Sequence, residues 1–171
     1  MGHDTVLWAI EQDVVDDVNT AHENKRYLAG IPLPPSLTAH PDLRTVITHG
    51  ELIIMVVPTP FVARTLSPVA NAFTPDKIMV SCTKGINTET LETVNQVLTR
   101  VLPPAFHAHL AYLSGPSFAK EVAIDPPQPT AVTVASHSLD TAQRVQQLMS
   151  TTRFRCYTSL DVVGMCSNSA A

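Results

Sequence analysis

Short apolar runs alternate along the chain with stretches whose apolar residues recur every three or four positions. Thr5-Val6-Leu7-Trp8-Ala9-Ile10 predicts a strand. Val14, Val15 and Val18 then fall at helical spacing, with Asp13, Asp16 and Asp17 on the opposite face. Pro32, Pro34, Pro35 and Pro41 predict an irregular loop from His22 to Pro41, and Asp42 is placed to cap a short helix ending near Gly50. Glu51 to Val57 is the clearest strand. Its unbroken apolar run from Leu52 predicts burial on both faces, and Pro58 and Pro60 end it. A helix is expected from Phe61 to Phe73, through Val62, Leu66 and Val69, and a second buried strand from Lys77 to Cys82.

Farther on, Thr88 to Leu102 predicts a helix capped by Asn87 or Thr88, with Leu91, Val94, Val97 and Val101 as its apolar stripe. His109 to Leu113 predicts a strand leading into Ser114-Gly115-Pro116-Ser117, where a helical turn is expected to begin. Pro126, Pro127 and Pro129 mark a second loop. A strand at Thr130 to Ala135, a helix at Leu139 to Met149 and a last strand at Phe154 to Tyr157 complete the pattern. Such alternation predicts an α/β fold with a parallel, doubly wound sheet built through right-handed crossovers.

Composition narrows the function. The 171 residues are 44% apolar and 15% charged, with net charge −4, enough apolar matter for a buried core and too acidic for a general grip on nucleic acid or an anionic membrane. The longest apolar run, Leu52 to Val57, is far short of the roughly 20 residues of a membrane span. Met1-Gly2 opens like an acylation site, but Val6 stands where Ser or Thr is needed. Cys82, Cys156 and Cys166 are odd in number and form neither a disulfide framework nor a zinc pattern. A cytoplasmic protein is the expectation, with no metal.

In doubly wound sheets, ligands bind beyond the carboxyl ends of the strands. Those ends here are Ile10-Glu11, Pro58-Thr59-Pro60-Phe61, Thr83-Lys84-Gly85 and Ser114-Gly115-Pro116-Ser117. Lys84 follows a buried strand, so its ammonium must emerge at the tip. With Gly85 to turn the chain and a following helix to offer free N–H groups, a phosphate or carboxylate ligand is one reading. A surface lysine trailing its stem over apolar neighbours is the other. In the Ser114 to Ser117 loop, a hydroxyl is placed to cap a helix, and the nucleophile pattern of hydrolases is absent. His107 and His109 share a strand face in this reading, but a wet strand start explains them better than a metal pair. Gly2, Gly30, Gly50, Gly85, Gly115 and Gly164 leave no room for G-x-G-x-x-G anywhere.

Several blocks, in order and at matching intervals, resemble one family. They are Gly2-His3-Asp4 with Val6-Leu7-Trp8-Ala9, His22-Glu23-Asn24-Lys25-Arg26-Tyr27-Leu28 with Ile31-Pro32-Leu33-Pro34, Val56-Val57-Pro58, and Thr83-Lys84-Gly85-Ile86. Leu113-Ser114-Gly115-Pro116-Ser117-Phe118-Ala119-Lys120-Glu121-Val122, Pro129-Thr130-Ala131, Phe154-Arg155-Cys156-Tyr157-Thr158 and Asp161-Val162-Val163-Gly164 continue the series. The family is the soluble NAD(P)-dependent glycerol-3-phosphate dehydrogenases. The resemblance implies a Rossmann-like, mostly parallel sheet and hydride transfer between NAD(P)H and dihydroxyacetone phosphate or sn-glycerol 3-phosphate, in glycerol-phosphate and glycerolipid metabolism, by a homodimer when full length. It implies substrate contacts at Lys84, Gly115 and Ser117, and cofactor contacts at Lys84, Ala119, Phe61, Ile10 and Tyr27.

Set against the family, residues 1–164 are expected to form a partial dinucleotide-binding domain, without its first strand and glycine-rich loop. Residues 165–171 are expected to form a divergent tail that stops before the family's catalytic lysine, and the helical substrate domain is not represented. The chain as written is therefore expected to be inactive alone. NADP-using relatives often carry Arg after the second strand. Here Ile10 and Glu11 stand there, and a carboxylate accepts a ribose 2′-hydroxyl while repelling a 2′-phosphate, which favours NAD over NADP. The competing expectations are another two-domain NAD(P)-dependent dehydrogenase and a non-catalytic Rossmann-type binding or assembly protein.

Overall fold

In the computed structural model the strands sort into two sheets, and the structure describes residues 3–124 and 126–168. Met1-Gly2 and the end of the 165–171 tail from Ser169 lie outside the described residues. The chain divides into two compact units, one of Met1–Gly50 with Phe118–Pro127, the other of Glu51–Ser117 with Gln128–Ala171.

The first unit pairs β1 (Thr5–Trp8) with β2 (Leu37–His40) in parallel. Helix α1 (Gln12–Ala21) covers them, burying Val14, Val15 and Val18 against Ala9 and Ala39 while Asp13 and Asp16 stay in solvent and Asp17 is half-buried. β2 corrects the expected irregular loop from His22 to Pro41. Its four residues follow three prolines, and the hydrogen bonds that hold it come from β1 and, at Ala39, from the Asn19 side chain of α1, rather than from any local signal. α2 (Leu43–His49) starts as expected, with the Asp42 carboxylate accepting from the Arg44 N–H at 2.9 Å. α5 (Ala119–Ala123) also belongs to this unit.

The second unit holds a five-stranded sheet of order β3 (Leu52–Met55), β4 (Ile78–Ser81), β5 (Leu110–Ser114), β6 (Thr130–Ala135) and β7 (Phe154–Ser159). Every pairing is parallel except β5 with β6, which is antiparallel, so the sheet is mostly rather than wholly parallel. β4 is buried at all four positions. Ile78 and Val80 face Val145 of α6 (Leu139–Met149), while Met79, pointing the other way, is equally buried. Both faces of the sheet are therefore covered at β4. The expectation for β3 fails in part: among the described residues it pairs only with β4, and Ile54 is 53% exposed. Its apolar run cannot report that it is an edge strand.

Helix boundaries move for identifiable reasons. α3 (Thr59–Leu66) gives way to a 3₁₀ turn over Ser67–Ala72, because Pro68 cannot continue the α ladder, so the expected helix to Phe73 is broken. α4 (Val94–Val101) begins at Thr93, whose side chain and that of Gln96 form a reciprocal capping box. Asn87 caps nothing. Its Oδ1 accepts from the Glu89 and Thr90 N–H groups in a tight loop, and Leu91 leaves the expected stripe for solvent. α7 (Val162–Asn168) runs across the expected boundary at Gly164 and buries Val162 and Cys166.

After β5, Gly115 has φ +148°, and a Cβ there would sit 2.9 Å from the Ala131 carbonyl oxygen and 3.0 Å from Val132 Cα. Both neighbours are backbone of β6 and cannot swing aside. Gly115→Ala is expected to cost about 1–3 kcal/mol through strain and a forced shift of β6, measured as a lower urea midpoint with unchanged m-value.

Glu92 lies beside the α4 cap, where the Arg100 guanidinium grips it at 2.7 and 2.9 Å. That pairing, helped by the Thr90 hydroxyl, lowers the Glu92 carboxyl from 4.5 to about 2. A depressed acid stabilises the fold above its unfolded pKa and stops doing so as pH falls through its folded one. The Tm difference between wild type and Glu92→Gln should thus be fully present above about pH 4.5 and vanish as pH approaches about 2.

Candidate functional site

The parallel register brings three strand ends side by side. Met55 of β3 is opposite Ser81 of β4, and Ser81 is opposite Tyr112 of β5. Three residues beyond each lie Pro58, Lys84 and Gly115. Three of the strand ends singled out from the sequence thus meet at one carboxyl edge of the sheet.

Two threonines tie this edge together. The buried Thr59 hydroxyl, at the start of α3, donates to the Lys84 carbonyl at 2.7 Å. The buried Thr83 hydroxyl donates to the Val57 carbonyl at 2.8 Å in the opposite sense. The backbone around Lys84 is therefore fixed by cross-links to β3, while its side chain is exposed and makes no ion pair among the described residues. Gly85 follows at φ +90°, a turn that a residue with a Cβ adopts only under strain. The expected helix after Gly85 is not there. The chain runs instead through a bridge between Ile86 and Thr93, and α4 begins only at Val94. An anion held at Lys84 therefore gains nothing from a helix that follows Gly85, and the helix start nearest to Lys84 is that of α3, at Thr59.

Phe61 stands on the first turn of α3, half-exposed, with the Arg64 guanidinium 4.1 Å from its ring centroid. Ser117 does not cap a helix, contrary to expectation. Its hydroxyl donates to the Gly115 carbonyl at 3.4 Å, and Phe118 occupies the cap position of α5. The burial of Cys82 pushes its thiol up to about 11 even with Lys84 nearby, so no thiolate nucleophile is available at neutral pH. His107 and His109 lie in a 3₁₀ turn, where the His107 ring meets the Leu102 carbonyl at 3.0 Å. Among the described residues no cluster of His, Cys, Asp or Glu is arranged to hold a metal.

The first unit carries a separate group of candidates at the carboxyl end of β1. Ile10 is 77% exposed there, an apolar side chain offered to solvent directly after a parallel strand. Glu11 precedes α1 with extended backbone, φ −87° and ψ 122°, and its side chain makes no capping bond to the helix. The Tyr27 hydroxyl donates to Glu11 Oε1 at 2.7 Å. Ala119 is the exposed first residue of α5. The structure thus gathers Lys84, Gly115, Ser117 and Phe61 at one sheet edge, and Ile10 and Tyr27 about Glu11. Sequence reasoning missed Thr59 and Thr83, since nothing local marks a hydroxyl whose partner is about 25 residues away.

Comparison with known proteins identifies the family. The family model for the amino-terminal part of NAD-dependent glycerol-3-phosphate dehydrogenase matches residues 1–142. A glycerol-3-phosphate dehydrogenase [NAD(P)+] of Myxococcus xanthus is 43% identical over 93% of this chain and 47% of its own length. One from Syntrophobacter fumaroxidans is 40% identical over 96% of this chain and 48% of its own. The crystal structure of glycerol-3-phosphate dehydrogenase from Coxiella burnetii superposes with a TM-score of 0.85 at 27% identity, covering 98% of this chain and 50% of that one. The chain spans about half the length of the relatives it matches. Sequence match, strand order and the blocks at the strand ends converge, and the chain belongs to the NAD(P)-dependent glycerol-3-phosphate dehydrogenase family.

Proposed function

We propose that residues 1–164 supply the dinucleotide-binding part of a glycerol-3-phosphate dehydrogenase, which moves hydride between NAD and the glycerol 3-phosphate/dihydroxyacetone phosphate pair. The observation that carries this reading is Lys84, an exposed cation at the tip of a buried strand, its backbone pinned by Thr59 and its flanks formed by Pro58 and Gly115. An ammonium so placed attracts the phosphate dianion of the substrate and polarises what lies beside it. Gly115 and Ser117 add a bare backbone and a hydroxyl to the substrate side, and Phe61 gives the cofactor an apolar wall.

The residues fit the cofactor at its adenosine end, where exposed Ile10 suits a planar base and Glu11 suits a ribose hydroxyl. Ala119 is read as a further cofactor contact. The sequence has no G-x-G-x-x-G, and the pyrophosphate is assigned to none of the described residues. Bound NAD supplies the hydride-accepting nicotinamide, and the chain's own part is to bind, orient and attract charge. Action as a homodimer, in the cytoplasm and on small molecules, belongs to the same reading. It is supported by the family to which the chain belongs.

In a chain extended to the full length of the relatives it matches and assayed with NADH and dihydroxyacetone phosphate, Lys84→Ala should lower kcat/KM by a factor on the order of a hundred, about 2–4 kcal/mol. Lys84→Arg should recover part of that loss, and wild-type efficiency in Lys84→Ala would remove Lys84 from the site. NADH should outperform NADPH, because the uncancelled charge of Glu11 meets a 2′-phosphate with repulsion. Equal or better efficiency with NADPH would overturn the preference.

A further inference from the structure

Glu11 is the acidic group on which cofactor choice rests in the reading above, yet nothing in its own helix holds it. It makes no capping bond to α1, and Gln12 beside it is engaged with Asp16 at 2.9 Å. A glutamate with three free torsions sweeps a wide volume and contributes little direction to a hydrogen bond. What fixes it comes from 16 residues farther along, where the Tyr27 hydroxyl donates to Oε1 at 2.7 Å.

That donor is itself held. The Tyr27 N–H donates to Asn24 Oδ1 at 3.0 Å and the Leu28 N–H to the Asn24 carbonyl at 2.8 Å, closing a tight turn. The turn is stapled to α1 by Arg26 to Asp13 at 3.2 Å and by Lys25 to Asp17. Arg26 also lies 5.5 Å from the Tyr27 ring centroid. Three consecutive residues of one loop thus meet three acids of α1 and its cap, and the chemistry of the three pairs differs. Asp13 and Asp17 receive cations and are neutralised. Glu11 receives a neutral phenol, which orients the carboxylate and leaves its charge whole. Both cations of this loop are committed to carboxylates, so neither is free to receive a phosphate.

We propose that Tyr27 is a positioning residue that aims the charged Glu11 carboxylate and thereby sets the discrimination between a ribose 2′-hydroxyl and a 2′-phosphate. This rests on the NAD-preferring reading of Glu11 given above. One lone pair of Oε1 goes to Tyr27, and Oε2 with the remaining lone pairs stays open to the sugar hydroxyl. A cationic partner in place of the phenol would hold the carboxylate equally well but cancel the repulsion that rejects phosphate.

The test uses Tyr27→Phe, Glu11→Gln and the double variant, with NAD+ and NADP+ binding measured by calorimetry. Because Tyr27 is 61% exposed, loss of its hydroxyl leaves the fold intact. Tyr27→Phe should reduce the NAD+ over NADP+ binding ratio roughly three- to tenfold. Glu11→Gln should reduce it further, and adding Tyr27→Phe to Glu11→Gln should change nothing more. A ligand-free readout stands beside these. The hydrogen bond to Glu11 raises the Tyr27 phenol above the ordinary tyrosine range, so a pH titration of its ring resonances should shift back downward in Glu11→Gln. If Tyr27→Phe keeps the wild-type ratio while Glu11→Gln collapses it, the positioning role is wrong and the NAD reading stands. If Glu11→Gln also keeps the ratio, the NAD reading fails with it. A Tyr27 ring that titrates in the ordinary range in the wild type overturns the bond itself.

Discussion

Two buried threonine hydroxyls join the carboxyl ends of β3 and β4, and the arrangement of the candidate substrate site depends on that join. Parallel strands end in ragged loops unless something ties them, because the ladder hydrogen bonds stop where the strands stop. Here Thr59 and Thr83 continue the pairing past the ladder, each donating to a carbonyl on the opposite segment. Both threonines are buried, so their hydroxyls are satisfied by these carbonyls rather than by bulk water. The Lys84 backbone is consequently rigid while its side chain reaches into solvent. A flexible point charge on a fixed base suits an anion whose position is set by other contacts.

Much of this was legible in the sequence, and the failures share one cause. β4, α6 and the Asp42 cap follow from local pattern, because their apolar runs and capping residues report their surroundings directly. β2 was not legible, since Leu37 to His40 are strand only by virtue of pairing with β1. The antiparallel turn of β6 leaves no mark in Thr130 to Ala135, whose apolar alternation is the same in either direction. Ile54 could not announce its exposure, because an all-apolar run reads identically at the centre and at the edge of a sheet. Each miss concerns which segment lies beside which, and that information is non-local.

The site divides along the same line. Lys84 and Gly115 were found by their position after buried strands, and the register then placed them three residues past a paired row. For Gly115 the structure adds a reason that the sequence could not supply. The β6 backbone passes so close that a Cβ has no room, and this requirement holds with or without a ligand. Ser117 shows the reverse case. A serine before a short helix was read as its cap, yet the hydroxyl turns back to the Gly115 carbonyl and Phe118 takes the cap position. The hydroxyl therefore stays with the loop, where a polar ligand would meet it.

Electrostatics separates the two groups of candidates. At Lys84 the chain leaves a cation without an ion-pair partner among the described residues, which preserves its attraction for phosphate. At Glu11 it does the same for an anion, supplying a neutral hydroxyl as the orienting partner while the adjoining acids Asp13 and Asp17 are given cations. A surface ion pair adds little to stability, typically below about 1 kcal/mol, so the loop gains modestly from Lys25 and Arg26. What those pairs do change is the field. With the two cations tied back, the carboxylate nearest the end of β1 dominates its surroundings, and a ligand approaching Ile10 meets a negative charge of fixed direction. Placement of charge, more than its amount, is what the loop from Asn24 to Tyr27 contributes.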